Sequence, residues 1–150
     1  MAIRPGSTVS DVNHAIAGTF PALLGIEYVD VRPGHVVSRM AVHADLLAPT
    51  NGLLHGGALV TIADSACGVG AAVTLPEGAR GHATIEIKAN FLRPMREGFA
   101  LCEARLVHSG RSTQVWDATV TDEQTGNLVA VFRCTQLVFE DRGVSPTSRE

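Results

Sequence analysis

The residues best suited to chemistry in this chain lie where the sequence His-Gly-Gly, at positions 55–57, opens an apolar run that continues over 58–73. One carboxylate, Asp64, interrupts that run and has no charged residue near it in the sequence. A run that is apolar on nearly every side predicts a buried helix, and an ionised group is costly to bury unless it is paired or used. Asp64 is therefore the first catalytic candidate, either as a general base or as a nucleophile.

The glycine pair at the start of this helix offers a second kind of chemistry. The first N–H groups of a helix are unpaired and carry the positive end of its dipole, and glycine lets a ligand approach them without a Cβ in the way. Gly56 and Gly57 are candidates to bind a carbonyl oxygen and to stabilise negative charge on it, which is worth on the order of 3 kcal/mol per donor in oxyanion holes. The alternative is that both glycines only permit a tight entry turn. Beside them, His55 is a candidate either to hold a substrate carbonyl or to cap the loop.

The spacing along the helix separates these two kinds of group. Asp64 follows Gly57 by seven residues. At a rise of roughly 1.5 Å per residue, about 10 Å of helix lies between them, so they cannot share one reacting atom. If both serve one reaction, the carboxylate must come from a second copy of the chain, and the site lies across a two-fold dimer interface. The alternative for Asp64 is a structural carboxylate held by the hydroxyls of Thr61 and Ser65.

A period-two pattern follows the helix and predicts a strand with one apolar and one polar face. Thr84 belongs to the polar set, where it either orients a water molecule or is an ordinary strand threonine. The apolar positions are Ile85, Ile87, Ala89 and Phe91, and they alternate with Thr84, Glu86, Lys88 and Asn90.

The remaining segments predict a single α+β domain over 1–150, with loose ends at about 1–7 and 142–150. A short helix is expected from Asp11 to Phe20, closed by Pro21. Short connections favour antiparallel strands, so we expect a long central helix wrapped by a curved antiparallel sheet of about six strands. Two strands are predicted at 26–31 and 35–42, and they form a hairpin around a turn at 32–34. Three more strands are predicted at 99–108, 113–121 and 128–139. A loop at 45–54 precedes the central helix, which is predicted to end near 75–78.

Composition excludes several classes of function. The formal net charge of −3, with one Trp and one Tyr among 150 residues, gives neither a basic footprint nor a stacking surface for nucleic acid. The N-terminus lacks the apolar core of a signal peptide and the 58–73 run is too short to span a bilayer, which predicts a cytoplasmic protein with no membrane partner. The six histidines lack zinc-ligand spacing and no nucleotide-binding motif is present, so neither a metal nor a cofactor is expected. Cys67, Cys102 and Cys134 are predicted to be buried reduced thiols.

Two motifs and a turn that follows them, in a fixed order, carry a family resemblance. The motif at 55–57 with an aspartate nine residues after the histidine, the segment at 84–94 and the turn at 108–111 together resemble the hotdog-fold acyl-CoA thioesterases of the phenylacetate-pathway type. The resemblance covers roughly 24–139. It implies a homodimer with a continuous sheet and two composite sites, often paired into a homotetramer.

The resemblance also implies roles for individual residues. Gly56 would supply the backbone N–H that polarises the thioester carbonyl, with His55 beside it. Asp64 of the partner subunit would be the general base or nucleophile, and Thr84 would help to position the water.

One position departs from the family pattern. Members commonly place Asn or Gln six residues before the histidine, where this chain has Pro49. Asn51, two residues later, is a candidate to substitute for it from a shifted loop, and Gly52 matches the glycine that members have at its position.

Basic residues are expected to meet the phosphates of coenzyme A. Arg111, in its Gly-Arg turn, is the best positional match to the basic loop residues of similar enzymes, and arginine suits phosphate through its planar fork of donors. Its alternative is a solvated turn residue. Arg93 and Arg96 are lesser candidates on charge alone.

The expected reaction is hydrolysis of an acyl-CoA thioester to a carboxylic acid and free coenzyme A, with no metal or separate cofactor. Two alternatives stay open: a non-catalytic acyl-CoA binding module, since fold does not settle function, and a hotdog dehydratase acting on 3-hydroxyacyl thioesters. Spacing does not encode the acyl group. Its apolar candidate contacts are Leu53, Leu54, Val60 and Phe91, although plain core is the favoured explanation for each of them.

Overall fold

The computed structural model describes residues 2–140, so the predicted loose end at 142–150 lies outside the described residues. This part of the chain forms one antiparallel sheet of six strands, with one long helix against it. The predicted α+β architecture is therefore confirmed. The helices are α1 (Val9–Ile16), α2 (Phe20–Leu23) and α3 (Gly56–Val73), with a 3₁₀ turn at Ala44–Leu46, and the strands are β1 (Ile26–Arg32), β2 (His35–Ala41), β3 (Ala79–Phe91), β4 (Phe99–Ser109), β5 (Thr113–Asp122) and β6 (Leu128–Glu140). The order of the strands in the sheet is β1-β2-β4-β5-β6-β3.

Helix α3 is the central core element, and most of its 18 residues are buried. A Cβ added to Gly70 would lie 2.6 Å from the ring of Trp116, so glycine is required where this buried ring meets the helix. By length and composition α3 also satisfies the criterion for crossing a bilayer, so the expectation that the segment is too short is wrong. Its burial against the sheet accounts for its apolar surface.

The N-terminal segment differs from the single predicted helix. Helix α1 ends at Ile16, and Pro21 lies in the first turn of a separate helix, α2, because the fixed φ of proline suits that position. The Asn13 side chain accepts a hydrogen bond from the Tyr28 N–H and donates one to the Tyr28 carbonyl, both at 2.9 Å. These two bonds attach α1 to the edge strand β1.

Strand β3 forms the other edge of the sheet, and the expected strict alternation along it does not hold. Thr84 pairs with Gln136 while Glu86 pairs with the preceding residue of β6, so Ile85 is an extra residue in a β-bulge and is 57% exposed. A bulge of one residue reverses which face the neighbouring side chains occupy. Thr84 therefore lies on the side of the sheet that faces α3, and its placement in the outer polar set is wrong.

Candidate active site

His55 and Gly57 form a cap at the start of α3. His55 is the N-cap residue, and its Nδ1 accepts a hydrogen bond from the Gly57 N–H at 2.9 Å. A Cβ on residue 57 would itself lie 2.9 Å from Nδ1, so the cap requires glycine. With Nδ1 as the acceptor, the neutral ring carries its proton on Nε2 and can donate it elsewhere. The Gly57 N–H is therefore paired within the cap. The Gly56 N–H remains unpaired and can bind a ligand.

Gly56 lines a cleft of about 600 Å³ at the N-terminal end of α3, which we call the Gly56 cleft. No acceptor for the Gly56 N–H is found within residues 2–140, as expected in the first turn of a helix. The ring of Phe91 forms one wall, and a Cβ on residue 56 would lie 3.2 Å from it. Leu53 and Leu54 also line this cleft, whereas Val60 does not.

The loop before α3 is braced by local hydrogen bonds that involve the candidate residues. Asn51 lines the Gly56 cleft, and its Oδ1 accepts the Leu53 N–H at 3.0 Å in a side-chain turn. Gly52 has a φ of +63°, a left-handed conformation that favours glycine. Arg96 donates to the carbonyls of Asn51 and Gly52 at 2.9 and 3.3 Å, and Arg93 donates to a carbonyl at the start of β6 at 3.1 Å. Both arginines thus support the loops around the cleft.

Asp64 receives a directed chain of hydrogen bonds from β3 and β6. The Thr84 hydroxyl donates to Asp64 Oδ1 at 2.8 Å, and Gln136 Nε2 donates to Thr84 Oγ1 at 2.8 Å. His82 Nδ1 lies 3.1 Å from Gln136 Oε1, where a protonated Nδ1 would donate. Thr61 does not hold the carboxylate, because its hydroxyl donates to the Gly57 carbonyl at 2.8 Å. These hydrogen bonds fix the carboxylate oxygen Oδ1, whereas Oδ2 accepts no hydrogen bond from the described residues.

Sequence reasoning missed Gln136 and His82. The available signal was the alternation along β6, in which Gln136 occupies a position of the buried set and is fully buried. A buried amide needs partners for its donors and acceptors, so a glutamine in that set predicts a polar neighbour across the sheet. No comparable sequence signal marks His82, because the face of the sheet on which its side chain lies depends on the bulge at Ile85.

Asp64 lines a second cleft of about 460 Å³, which we call the Asp64 cleft. Its walls come from α1, α2, β1, α3 and β3, and it shares no lining residue with the Gly56 cleft. Asp64 follows Gly56 by eight residues, so about 12 Å of helix separates the two clefts. Within one chain, the open N–H and the carboxylate therefore serve different spaces. The side chains that line the Asp64 cleft include Ile16, Tyr28, Asp64, Val69, Ala72 and Thr84.

The remaining candidates lie away from both clefts. Arg111 is exposed in the connection between β4 and β5 and lines neither cleft.

Cys67, Cys102 and Cys134 are free and buried, as predicted. A hydrogen bond to Cys134 and burial raise the pKa of Cys67, and burial raises that of Cys102, which leaves both as inert thiols.

Comparisons with known proteins identify the family of the chain. A sequence profile of the thioesterase superfamily matches residues 51–129. The chain is 38% identical to a 1,4-dihydroxy-2-naphthoyl-CoA hydrolase of Listeria monocytogenes over 79% of this chain and 94% of the relative. It is 33% identical to the proofreading thioesterase EntH of Klebsiella pneumoniae over 83% of this chain and 89% of the relative.

Solved structures show the same fold. A thioesterase from Haemophilus influenzae superposes with a TM-score of 0.84 at 28% identity, covering 93% of this chain and 96% of that one. The PaaI protein of the Escherichia coli phenylacetic acid degradation operon superposes with a TM-score of 0.74 at 27% identity, covering 83% and 88%. The chain thus belongs to the thioesterase superfamily, and its central helix and antiparallel sheet form the hotdog fold. It is an enzyme of the thioester hydrolase class.

Proposed function

We propose that the protein hydrolyses acyl-CoA thioesters at a composite site, where Gly56 of one subunit faces Asp64 of the other. The observation that carries this proposal is the separation of the Gly56 N–H and the Asp64 carboxylate into two clefts of the same chain. Neither cleft alone holds both the Gly56 N–H and the Asp64 carboxylate. A two-fold dimer supplies both at each of two sites.

Strand β3 supports a dimer of this geometry. It is a 13-residue edge strand, and its exposed apolar residues include Ile85 and Phe91, at 57% and 53%. A long apolar edge invites pairing with another strand. Phe91 at one end of β3 lines the Gly56 cleft, and Thr84 lines the Asp64 cleft. Antiparallel pairing of β3 with its own copy would bring the Gly56 cleft of each subunit towards the Asp64 cleft of the other.

The chemistry then uses the donors and acceptors already described. The Gly56 N–H and His55 Nε2–H bind the thioester carbonyl oxygen and stabilise the charge that develops on it. Asp64, oriented through Thr84, accepts a proton from water as hydroxide adds to the carbonyl carbon. The C–S bond then breaks, and the proton held by Asp64 passes to the leaving thiolate, which is released as the coenzyme A thiol. In the second route the carboxylate itself adds to the carbonyl carbon and the C–S bond breaks to expel the coenzyme A thiolate. Water then hydrolyses the resulting mixed anhydride to the carboxylic acid product and the free Asp64 side chain.

The substrate class and assembly belong to the same proposal. Relatives are named for coenzyme A thioester and thioesterase activities, which supports an acyl-CoA substrate. Arg111 is proposed to contact a phosphate of coenzyme A, with Asn51 near the thioester. We further propose a homodimer that pairs into a homotetramer and acts in the cytoplasm without a cofactor.

The proposal is tested by thiol release from a panel of aryl and aliphatic acyl-CoAs. Turnover of at least one substrate is expected, and the three buried cysteines keep the background of a thiol reagent low. Binding of acyl-CoA without thiol release across the panel would contradict hydrolysis and favour a binding module. Formation of an enoyl product from a 3-hydroxyacyl thioester would favour a dehydratase.

A further inference from the structure

Gln136 is a fully buried amide that joins two side chains of β3. His82 and Thr84 are two residues apart on this strand and therefore lie on the same face, and Thr84 pairs directly with Gln136 across the sheet. The amide Nε2 lies 2.8 Å from Thr84 Oγ1, and Oε1 lies 3.1 Å from His82 Nδ1. Both ends of the buried amide therefore belong to one path, which continues from the Thr84 hydroxyl to Asp64.

The ionised carboxylate at the end of this path determines the direction of every bond in it. A carboxylate can only accept, so the Thr84 hydroxyl proton lies on Asp64 Oδ1, at an oxygen–oxygen distance of 2.8 Å. Thr84 Oγ1 must then accept from the Gln136 NH₂ group, which turns the amide oxygen towards His82. That oxygen can only accept, so His82 Nδ1 carries a proton. The neutral ring of His82 is therefore the opposite tautomer to that of His55, whose Nδ1 is an acceptor.

His82 excludes the reversed orientation of the amide. The two ends of a glutamine amide have nearly the same shape, so shape alone does not select one orientation. A reversed Gln136 would accept the Thr84 proton and take it away from Asp64. With a proton on His82 Nδ1, the reversed amide would place a donor against a donor, and the orientation that serves Asp64 is the one that remains.

We propose that His82 is a positioning residue for the hydrolysis, and that its Nδ1–H fixes the orientation of the Gln136 amide. The fixed amide directs the Thr84 hydroxyl onto Asp64 Oδ1 and leaves Oδ2 to accept the proton of the attacking water. This inference rests on the proposed function and adds two residues that act on Asp64 without touching the reacting atoms. Because the effect is on the geometry of the base, it belongs to kcat rather than to KM.

The test compares His82→Leu with His82→Asn. Leucine removes the donor, whereas asparagine places its amide nitrogen close to the position of histidine Nδ1 and can donate to the same oxygen. With the acyl-CoA that wild type turns over fastest, we expect leucine to lower kcat about tenfold to a hundredfold, with KM changed less than about twofold. Asparagine should retain most of kcat.

Three results would overturn the inference, provided that Tm and oligomeric state match wild type. Equal losses of kcat in both variants would assign His82 to packing. A change confined to KM would assign it to substrate binding, since His82 also lines the Asp64 cleft. An unchanged kcat in His82→Leu would show that the donor is not needed.

A double-variant cycle with Gln136→Leu tests whether His82 acts through the amide. If it does, adding His82→Leu to Gln136→Leu should lower kcat by less than about twofold further, because the path is already broken. Losses that multiply would show that the two residues act independently and would contradict the relay. Because Gln136 is fully buried, the next measurement uses the unaltered core.

The tautomer of His82 is measured in wild type by long-range ¹H–¹⁵N correlation on protein with ¹⁵N-labelled histidine. The resonance is assigned by its loss in His82→Asn, and the spectrum is recorded at a pH at which the ring is neutral. We expect the Nδ1–H tautomer, whereas free histidine favours Nε2–H. An Nε2–H tautomer would overturn the inference. If wild type releases no thiol from any acyl-CoA, hydrolysis fails as the function, and this spectrum still decides whether His82 directs the hydrogen bonds at Asp64.

Discussion

Replacing Asp64 with asparagine is expected to lower kcat by about 10²–10⁴-fold while leaving the fold and assembly intact. Asparagine keeps an oxygen that accepts the Thr84 hydroxyl, which donates at 2.8 Å in the native chain. The substitution therefore removes the negative charge and the basicity without removing the hydrogen bond that orients the side chain. Turnover is measured by thiol release at saturating acyl-CoA, with the oligomeric state determined by light scattering on the same sample.

The matched control for this variant is Asp45→Asn, because the Asp45 side chain is 95% exposed and lies outside both clefts. Its kcat is expected to equal that of wild type. If Asp64→Asn retains wild-type turnover, Asp64 has no part in the chemistry and the composite site loses its base.

Replacing Gly56 with proline is expected to lower kcat by about 10²–10³-fold, because it removes one backbone donor to the developing oxyanion. Gly56 is the first residue of α3, and proline is tolerated at that position, where the N–H has no partner within the helix. The preceding His55 has φ −64° and ψ 135°, an extended conformation compatible with a following proline. The variant therefore deletes an N–H with little reason to disturb the helix, which circular dichroism and Tm check.

Gly56→Ala is the matched control, since it adds a Cβ and keeps the N–H. That Cβ would lie 3.2 Å from the Phe91 ring, which is half exposed and has room to move. We expect alanine to retain much more activity than proline. Equal losses in the two variants would assign the effect to crowding against Phe91 and would remove the Gly56 N–H from the mechanism.

Much of the fold could be predicted from periodicity. The hairpin β1–β2 and strands β4–β6 begin and end within one residue of the predicted positions, since alternation and glycine turns mark them directly. The helix around Asp64 was equally clear from its apolar run. The division of the N-terminal segment into two helices at Ile16–Pro21 is harder to predict. A proline that follows the end of one helix and a proline that starts a second helix give nearly the same sequence pattern.

The candidate site was predictable in its residue types and less so in its contacts. If Gly56 and Asp64 serve one reaction, their spacing predicts a site built from two copies of the chain, because the rise of a helix alone holds them apart. Which of the two glycine N–H groups stays unpaired depends on the rotamer of His55, and the spacing of the residues does not determine that rotamer. The bond from Thr84 to Asp64 depends on a bulge at Ile85, and a bulge adds a residue without altering the hydrophobic alternation in the sequence.

The composite site across a dimer is tested most directly by combining the two inactive variants in one assembly. Asp64→Asn and Gly56→Pro are co-expressed with different affinity tags, and mixed dimers are isolated by successive use of both tags. If each site takes Gly56 from one subunit and Asp64 from its partner, a mixed dimer contains one doubly altered site and one unaltered site. Its activity should then recover to about half that of wild type.

The control is each variant co-expressed with itself under the two tags, which should remain inactive. If Gly56 and Asp64 of the same chain formed each site, every site in the mixed dimer would carry one substitution. Activity no higher than that of the parent variants, in a dimer shown to contain both chains, would contradict the composite site.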